Sequence, residues 1–304
     1  MDITRRTFAR GFAAGAALTL AGTAFGAEPA PAMRVIPSSG EKIPAMGLGS
    51  WITFNVGDDP ALRDECADVI AAFFASGGRV IDSSPMYGSS QPVIGYGLKK
   101  LGLPQALFSA EKVWTSSVDG GRAQIEQTRN FWGVPRFDLL QVHNLVAWEA
   151  HLETLFAMKA QGQVRYVGIT TSEGRRHDLF EEIMRTQPLD FVQLTYNPID
   201  REAEERLLPL AAERGIAVIV NRPFQQGELT QRLAGETLPE WAAELAVTSW
   251  AQFILKFILA HPAVTVIIPA TTRVDHVREN VAAASGPLPD KGLREKMAAH
   301  IQAL

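Results

Sequence analysis

From about residue 45 onward the chain alternates between two hydrophobic patterns. Short, nearly continuous apolar runs rich in β-branched residues recur as RVIDS near residue 80, LFSAEKV near 110, DLLQVH near 140, VRYVGIT near 167, FVQLTY near 193, IAVIVN near 218 and VTVIIP near 266. Between them lie longer segments whose apolar residues return every three or four positions, the spacing of one helix face. The stretch from Asp59 to Ser76 shows the form, with Asp59 as N-cap, Pro60 at the first helical position and Gly77-Gly78 as the stop. Cys66 shares a face with Leu62, Val69, Ile70, Phe73 and Phe74, so it reads as a small core residue.

Strands that are apolar on both faces, each followed by a helix, require a parallel sheet covered by helices. Counting GLGSW near residue 49 as the first strand gives eight strand-helix units. Eight units over about 250 residues predict an α/β fold of the closed (β/α)8, or TIM barrel, type. Ahead of them, MRVIPSSGEKIPAM predicts a β-hairpin turned at Ser39-Gly40, placed as a plug across the lower end of the barrel. No Gly-, Ser- or Pro-rich linker interrupts residues 33–304, which therefore form one domain.

The N-terminus departs from this pattern. MDITRRTFARGFAAGAALTL combines paired arginines, Arg5 and Arg6, with a short apolar tract, and residues 1–27 read as a twin-arginine signal peptide that is removed. This predicts a periplasmic protein exported in the folded state, with the twin-arginine export machinery as a partner. The tract is too short and glycine-rich for stable membrane insertion.

Composition narrows the function. With 304 residues, 46% of them hydrophobic and 20% charged, the chain can bury a large core. A formal net charge of -4 and the lack of a dense Lys/Arg stripe exclude a nucleic-acid partner. One cysteine allows no intramolecular disulfide, and the six histidines show no paired ligand spacing, so no metal site is expected.

A barrel carries its chemistry at the carboxyl ends of its strands. GGRVIDSSPMYGSS places Asp82 and Tyr87 there, AEKVW places Lys112 and LLQVHN places His143. A free phenol has a pKa of about 10, and a neighbouring ammonium is expected to lower it, with a carboxylate holding the ammonium in place. An imidazole facing the same point can donate a hydrogen bond to a carbonyl oxygen. Such a group polarises C=O and supplies a proton as hydride arrives.

These motifs, in this order and spacing, resemble the catalytic tetrad of the aldo-keto reductase superfamily, and the likeness runs from IPAMGLGSW to the last helices. The resemblance implies an enzyme with an extended nicotinamide cofactor, Tyr87 as general acid/base, Asp82 and Lys112 as its tuning pair and His143 as the carbonyl-orienting donor. It further implies Gln193, Thr170, Thr171 and Asn221 around the nicotinamide, although the family commonly places Ser-Asn at the two threonines and an aromatic ring at Asn221. Arg222, Pro223 and Phe224 correspond to the loop across the pyrophosphate. Thr271, Arg273, His276, Glu279 and Asn280 correspond to the adenine end, where a bidentate guanidinium at Arg273 favours NADP(H) over NAD(H).

Trp51, Phe54, Met86 and Trp114 are the candidates for an open, aromatic-walled substrate pocket. The resulting expectation is an NADP(H)-dependent oxidoreductase that interconverts small-molecule carbonyl compounds (aldehydes, ketones or sugars) and alcohols. Thr171 and Asn221 keep open an alternative, a barrel that holds the cofactor as a redox sensor or binding module with little turnover.

Overall fold

A computed structural model describes residues 31–304 of the chain. The proposed signal segment, residues 1–27, lies outside the described residues. Two short strands, β1 (Met33–Val35) and β2 (Lys42–Pro44), pair antiparallel with Met33 opposite Pro44. Gly40 in their connecting turn has φ +76°, a conformation that glycine adopts without strain.

Eight parallel strands follow in unbroken spatial order: β3 (Leu48–Gly49), β4 (Val80–Asp82), β5 (Phe108–Val113), β6 (Phe137–Val142), β7 (Val164–Thr170), β8 (Phe191–Thr195), β9 (Ala217–Asn221) and β10 (Val264–Ile267). Parallel bridges Met46–Ile267 and Gly49–Ala270 join the first strand to the last and close the barrel. The principal helices outside the strands are α1 (Pro60–Ala75), α2 (Ser90–Lys100), α3 (Val118–Trp132), α4 (Trp148–Ala160), α5 (His177–Thr186) and α6 (Leu207–Arg214). After β9 come a short helix, α7 (Glu228–Arg232), then α8 (Trp250–Leu259), α9 (Val274–Ala282) and α10 (Lys291–Ala303). None of these is long and apolar enough to cross a membrane.

Local chemistry explains where these elements start. At α1 the Asp59 carboxylate accepts hydrogen bonds from the amides of Ala61 and Leu62, at 2.9 and 3.1 Å. Helix amides that lack an internal partner are satisfied in this way, and Pro60 has none to satisfy.

The barrel interior shows why the site lies where it does. Val80, Phe108, Ala110, Leu139, Tyr166, Phe191, Ala217, Ile219 and Val266 form one buried cluster inside the barrel, and Ile36 and Ile43 of the hairpin region close it from below. Tyr166 donates to Ser39 Oγ at 2.8 Å, which ties the hairpin turn to the barrel floor. Side chains in a strand point inward every second residue. Two residues beyond this apolar filling, the inward positions become Asp82, Lys112, Gln141, Gln193 and Asn221, so polarity begins at the carboxyl end of the strands.

Candidate active site

Lys112 and Asp82 are both fully buried, and their ion pair is the foundation of the site: Lys112 Nζ lies 2.5 Å from Asp82 Oδ1 and also donates to the carbonyl of Ser83 at 2.7 Å. The second carboxylate oxygen accepts from Gln193 Nε2 at 2.9 Å and Gln141 Nε2 at 3.2 Å. A buried charge is tolerable only with such pairing. Burial pulls the Lys112 ammonium towards neutrality, yet Asp82, Tyr87 and Glu111 together outweigh it and the pKa moves up, so Lys112 stays charged.

Tyr87 sits in the loop after β4, half-buried, with Lys112 Nζ 5.2 Å from its ring centroid. The sequence led us to expect a depressed phenol pKa. Instead it is pushed up to about 12: burial disfavours the phenolate, Lys112 lowers the value, and Asp82 and Glu111 raise it. In this state Tyr87 is a proton donor.

His143, at the end of β6, meets Tyr87 edge-on with ring centroids 5.7 Å apart. Burial, reinforced by Lys112, holds its pKa well below the usual imidazole range, so the ring is neutral near pH 7. Its Nδ1 lies 2.6 Å from Ser84 Oγ. That oxygen accepts from the Met86 amide at 3.1 Å and keeps its own hydrogen, so the tautomer in which Ser84 donates to Nδ1 carries the imidazole proton on Nε2.

Behind Lys112, on the opposite face of β5, Glu111 is fully buried among the helices. It accepts from Gln91 Nε2 at 2.8 Å and from the Lys112 amide at 2.6 Å. Burial pushes its carboxyl up to about 7, partly countered by Lys112.

A cavity of about 710 Å³ opens over these groups. Its lining extends from Asp82, Tyr87 and His143, past Thr170, Gln193, Asn221 and Phe224, to Thr271, His276, Glu279 and Asn280. The aldo/keto reductase family model matches residues 45–299, which span every strand of this barrel. The chain belongs to the aldo/keto reductase family.

Family membership makes it an oxidoreductase of carbonyl and alcohol groups. The chain is 26% identical to the NADH-specific methylglyoxal reductase of Escherichia coli, over 81% of this chain and 91% of that one. It is 23% identical to the L-galactose dehydrogenase of Arabidopsis thaliana, over 90% of this chain and 93% of that one. Among solved structures, an aldo/keto reductase from Klebsiella pneumoniae in complex with NADP and acetate shares the fold with a TM-score of 0.74 at 22% identity, covering 88% of this chain and 94% of that one.

The residues that an aldo/keto reductase would turn towards a nicotinamide dinucleotide fit such a group in part. One cavity joins the tetrad to the 271–280 region, and the amide oxygen of the buried Gln193 accepts only a long hydrogen bond, from Asn221 Nδ2 at 3.5 Å. Thr170 Oγ1 accepts from the Asn144 amide at 3.0 Å and retains its own proton as a donor. Pro223 and Phe224 line the wall. Arg222 also lines it, and its guanidinium lies 2.7 Å from Glu173 Oε1.

Other expected contacts are arranged differently. Asn221 is a bracket between strands: its amide nitrogen donates to the Thr171 carbonyl at 2.9 Å and its oxygen accepts from Thr195 Oγ1 at 2.6 Å. Thr171 spends its hydroxyl on the Arg175 carbonyl at 2.5 Å. Arg273 is exposed and does not line the cavity; its guanidinium is held by Asp275, with Nε 3.0 Å from Oδ1.

Two substrate-pocket expectations require correction. Phe54, only 1% exposed, is absent from the wall because it packs into the core outside the barrel. Trp114 is 40% exposed and also lies outside the lining, its backbone amide and carbonyl both occupied by the Gln124 side chain. Trp51 and Met86 do line the cavity, both half-buried. Ser84, Gln141 and Glu173 belong to the site although no motif announces them. Ser84 and Gln141 lie two residues from Asp82 and His143, and the inward period of the strands is the signal that points to them.

Proposed function

We propose that this chain is an NADP(H)-linked reductase of small aldehydes and ketones that also runs in the alcohol-oxidising direction. One observation carries the reading: a protonated phenol and a neutral imidazole face the same cavity above a buried, hydrogen-bonded Lys112–Asp82 pair. Gln193, Thr170 and Asn280 would hold the cofactor, with Arg222, Pro223 and Phe224 along its length. Bound there, the cofactor supplies or accepts the hydride.

The protein's own part is the proton. His143 Nε2–H donates to the carbonyl oxygen and fixes its position, which polarises C=O. Tyr87 then releases its proton to that oxygen, and the charged Lys112 stabilises the phenolate left behind. In the oxidising direction the same phenolate takes the proton back. Asp82 keeps Lys112 charged through both states.

Tyr87→Phe tests this. It is expected to lower kcat by about 10²- to 10⁴-fold, the range of a lost general acid, while NADPH binding followed by fluorescence persists. Equal turnover in both proteins refutes the role of Tyr87. A wild-type protein that binds NADPH yet reduces no carbonyl favours the sensor reading. The NADP(H) preference rests on Arg273 beside Thr271 and is opposed by Asp275, so kcat/KM is to be compared for NADPH and NADH. We further propose, from the Arg5-Arg6 motif, export of the folded holoprotein. Denaturing protein recovered from the periplasm is then expected to release NADP(H), and protein found only in the cytoplasm counts against export.

A further inference from the structure

We propose that Ile52 is a specificity-determining residue, an apolar lip that selects carbonyl compounds bearing an extended aliphatic or arylalkyl group. Ile52 lies in the loop after β3, lines the active-site cavity and is 60% exposed. Its φ is +65°, and it is the one β-branched residue among the described non-glycine residues with positive φ. A branched Cβ crowds the backbone in that region, so the conformation is strained. Glycine or asparagine would adopt it more easily, and an exposed side chain returns little burial to the fold. The fold therefore gains nothing from isoleucine here, and strain at a cavity mouth points to ligand contact.

The surrounding structure holds the loop in place. Ser50 Oγ donates to the Asp82 carbonyl at 2.8 Å, and Phe54 anchors the far side in the core. Asn55 Oδ1 accepts from the Ser89 amide at 2.9 Å, and Ser89 Oγ accepts from the Gly57 amide at 2.7 Å. Ser89 lies two residues beyond Tyr87, so the loop bearing Ile52 is clamped to the loop bearing the proton donor. The Trp51 ring stands 6.5 Å from the Tyr87 ring, and Ile52 is the next residue along the chain from Trp51. Tyr87, Trp51 and Ile52 all line the one cavity, the first two half-buried and Ile52 exposed at 60%, so a substrate tail that leaves the reacting carbonyl past Trp51 and covers Ile52 removes that side chain from water.

This inference rests on the carbonyl-reductase reading above. The test compares octanal with propanal as substrates for the wild-type holoenzyme, Ile52→Gly and Ile52→Asn. Both variants are expected to lower the octanal-to-propanal ratio of kcat/KM by about tenfold, with the loss in the KM for octanal, and to raise Tm through relief of strain. An unchanged ratio overturns the inference, as does a lowered Tm, which would make Ile52 a packing residue. A wild-type enzyme that reduces neither aldehyde nor any other carbonyl overturns the reductase reading and this inference with it. Wild-type turnover with an unchanged ratio in the variants overturns this inference alone.

Discussion

At the scale of single residues, the site depends on groups whose roles are set by their hydrogen-bond partners. Ser84 is the clearest. Its oxygen receives the Met86 amide and lies 2.6 Å from His143 Nδ1, so with its proton given to Nδ1 this serine sets the tautomer that leaves Nε2–H as the imidazole donor. Ser84→Ala is expected to lower kcat about tenfold, the effect of losing one buried hydrogen bond that orients a donor, with cofactor affinity preserved. Stopped-flow measurement of the reductive step checks this, and an unchanged rate would mean that packing alone sets the tautomer. Asp82, Lys112 and His143 were legible in the sequence because each stands at or near the end of a recognisable apolar run, and Tyr87 because it stands in the loop that follows Asp82. Arg273 was not, since its engagement with Asp275 is a choice among rotamers that no spacing encodes. Phe54 and Trp114 misled for a related reason: an aromatic residue next to a strand end serves a core or a cavity equally well until the loop's course is known.

At the scale of elements, the strands were legible almost residue for residue, whereas the helices were legible as stretches without their contacts. Continuous apolar runs locate β5 to β10 because both faces of a barrel strand are buried. β3 is only two residues long, and its place came from the count of units, because so short a run has no period of its own. The close approach of α2 to α3 left no mark in the sequence. A Cβ at Gly95 would lie 1.7 Å from the Phe131 carbonyl oxygen, so the helices meet where one side chain is missing. A glycine inside a helical pattern looks like a defect in propensity until its neighbour is seen. Glu111 is similar: it reads as one more charge beside Lys112, and only the packing of α2 and α3 over β5 shows it as a buried carboxyl with Gln91 and Thr128 behind it.

At the scale of the whole molecule, these buried ionisable groups decide how stability follows pH. Burial depresses the pKa of His143, of His177 and of His261, the last to about 4. Between about pH 4 and 6.5 the unfolded chain takes up protons that these folded histidines refuse, so stability falls as pH drops through that window. Glu111 acts in the opposite sense. Its folded pKa of about 7 exceeds the unfolded value of 4.5, so the folded state holds an extra proton between those values and loses stability as pH rises through them. The two contributions oppose each other between about pH 4.5 and 6.5, and the Glu111 contribution continues to lower stability up to about pH 7. Glu111→Gln separates the two contributions. Glutamine keeps the volume, and a reoriented Gln91 amide can accept from it, so the hydrogen bonds behind β5 survive. At pH 8 the wild type bears a buried carboxylate that the variant lacks, and the variant is expected to be more stable by up to about 3 kcal/mol. That advantage should shrink as pH falls from 7 and approach zero below about pH 4, where Glu111 is protonated in both states. Urea denaturation of the two proteins across this range measures the difference. A wild type more stable than the variant at pH 8 would mean that Gln91, the Lys112 amide and the Lys112 charge more than offset the cost of burying the anion.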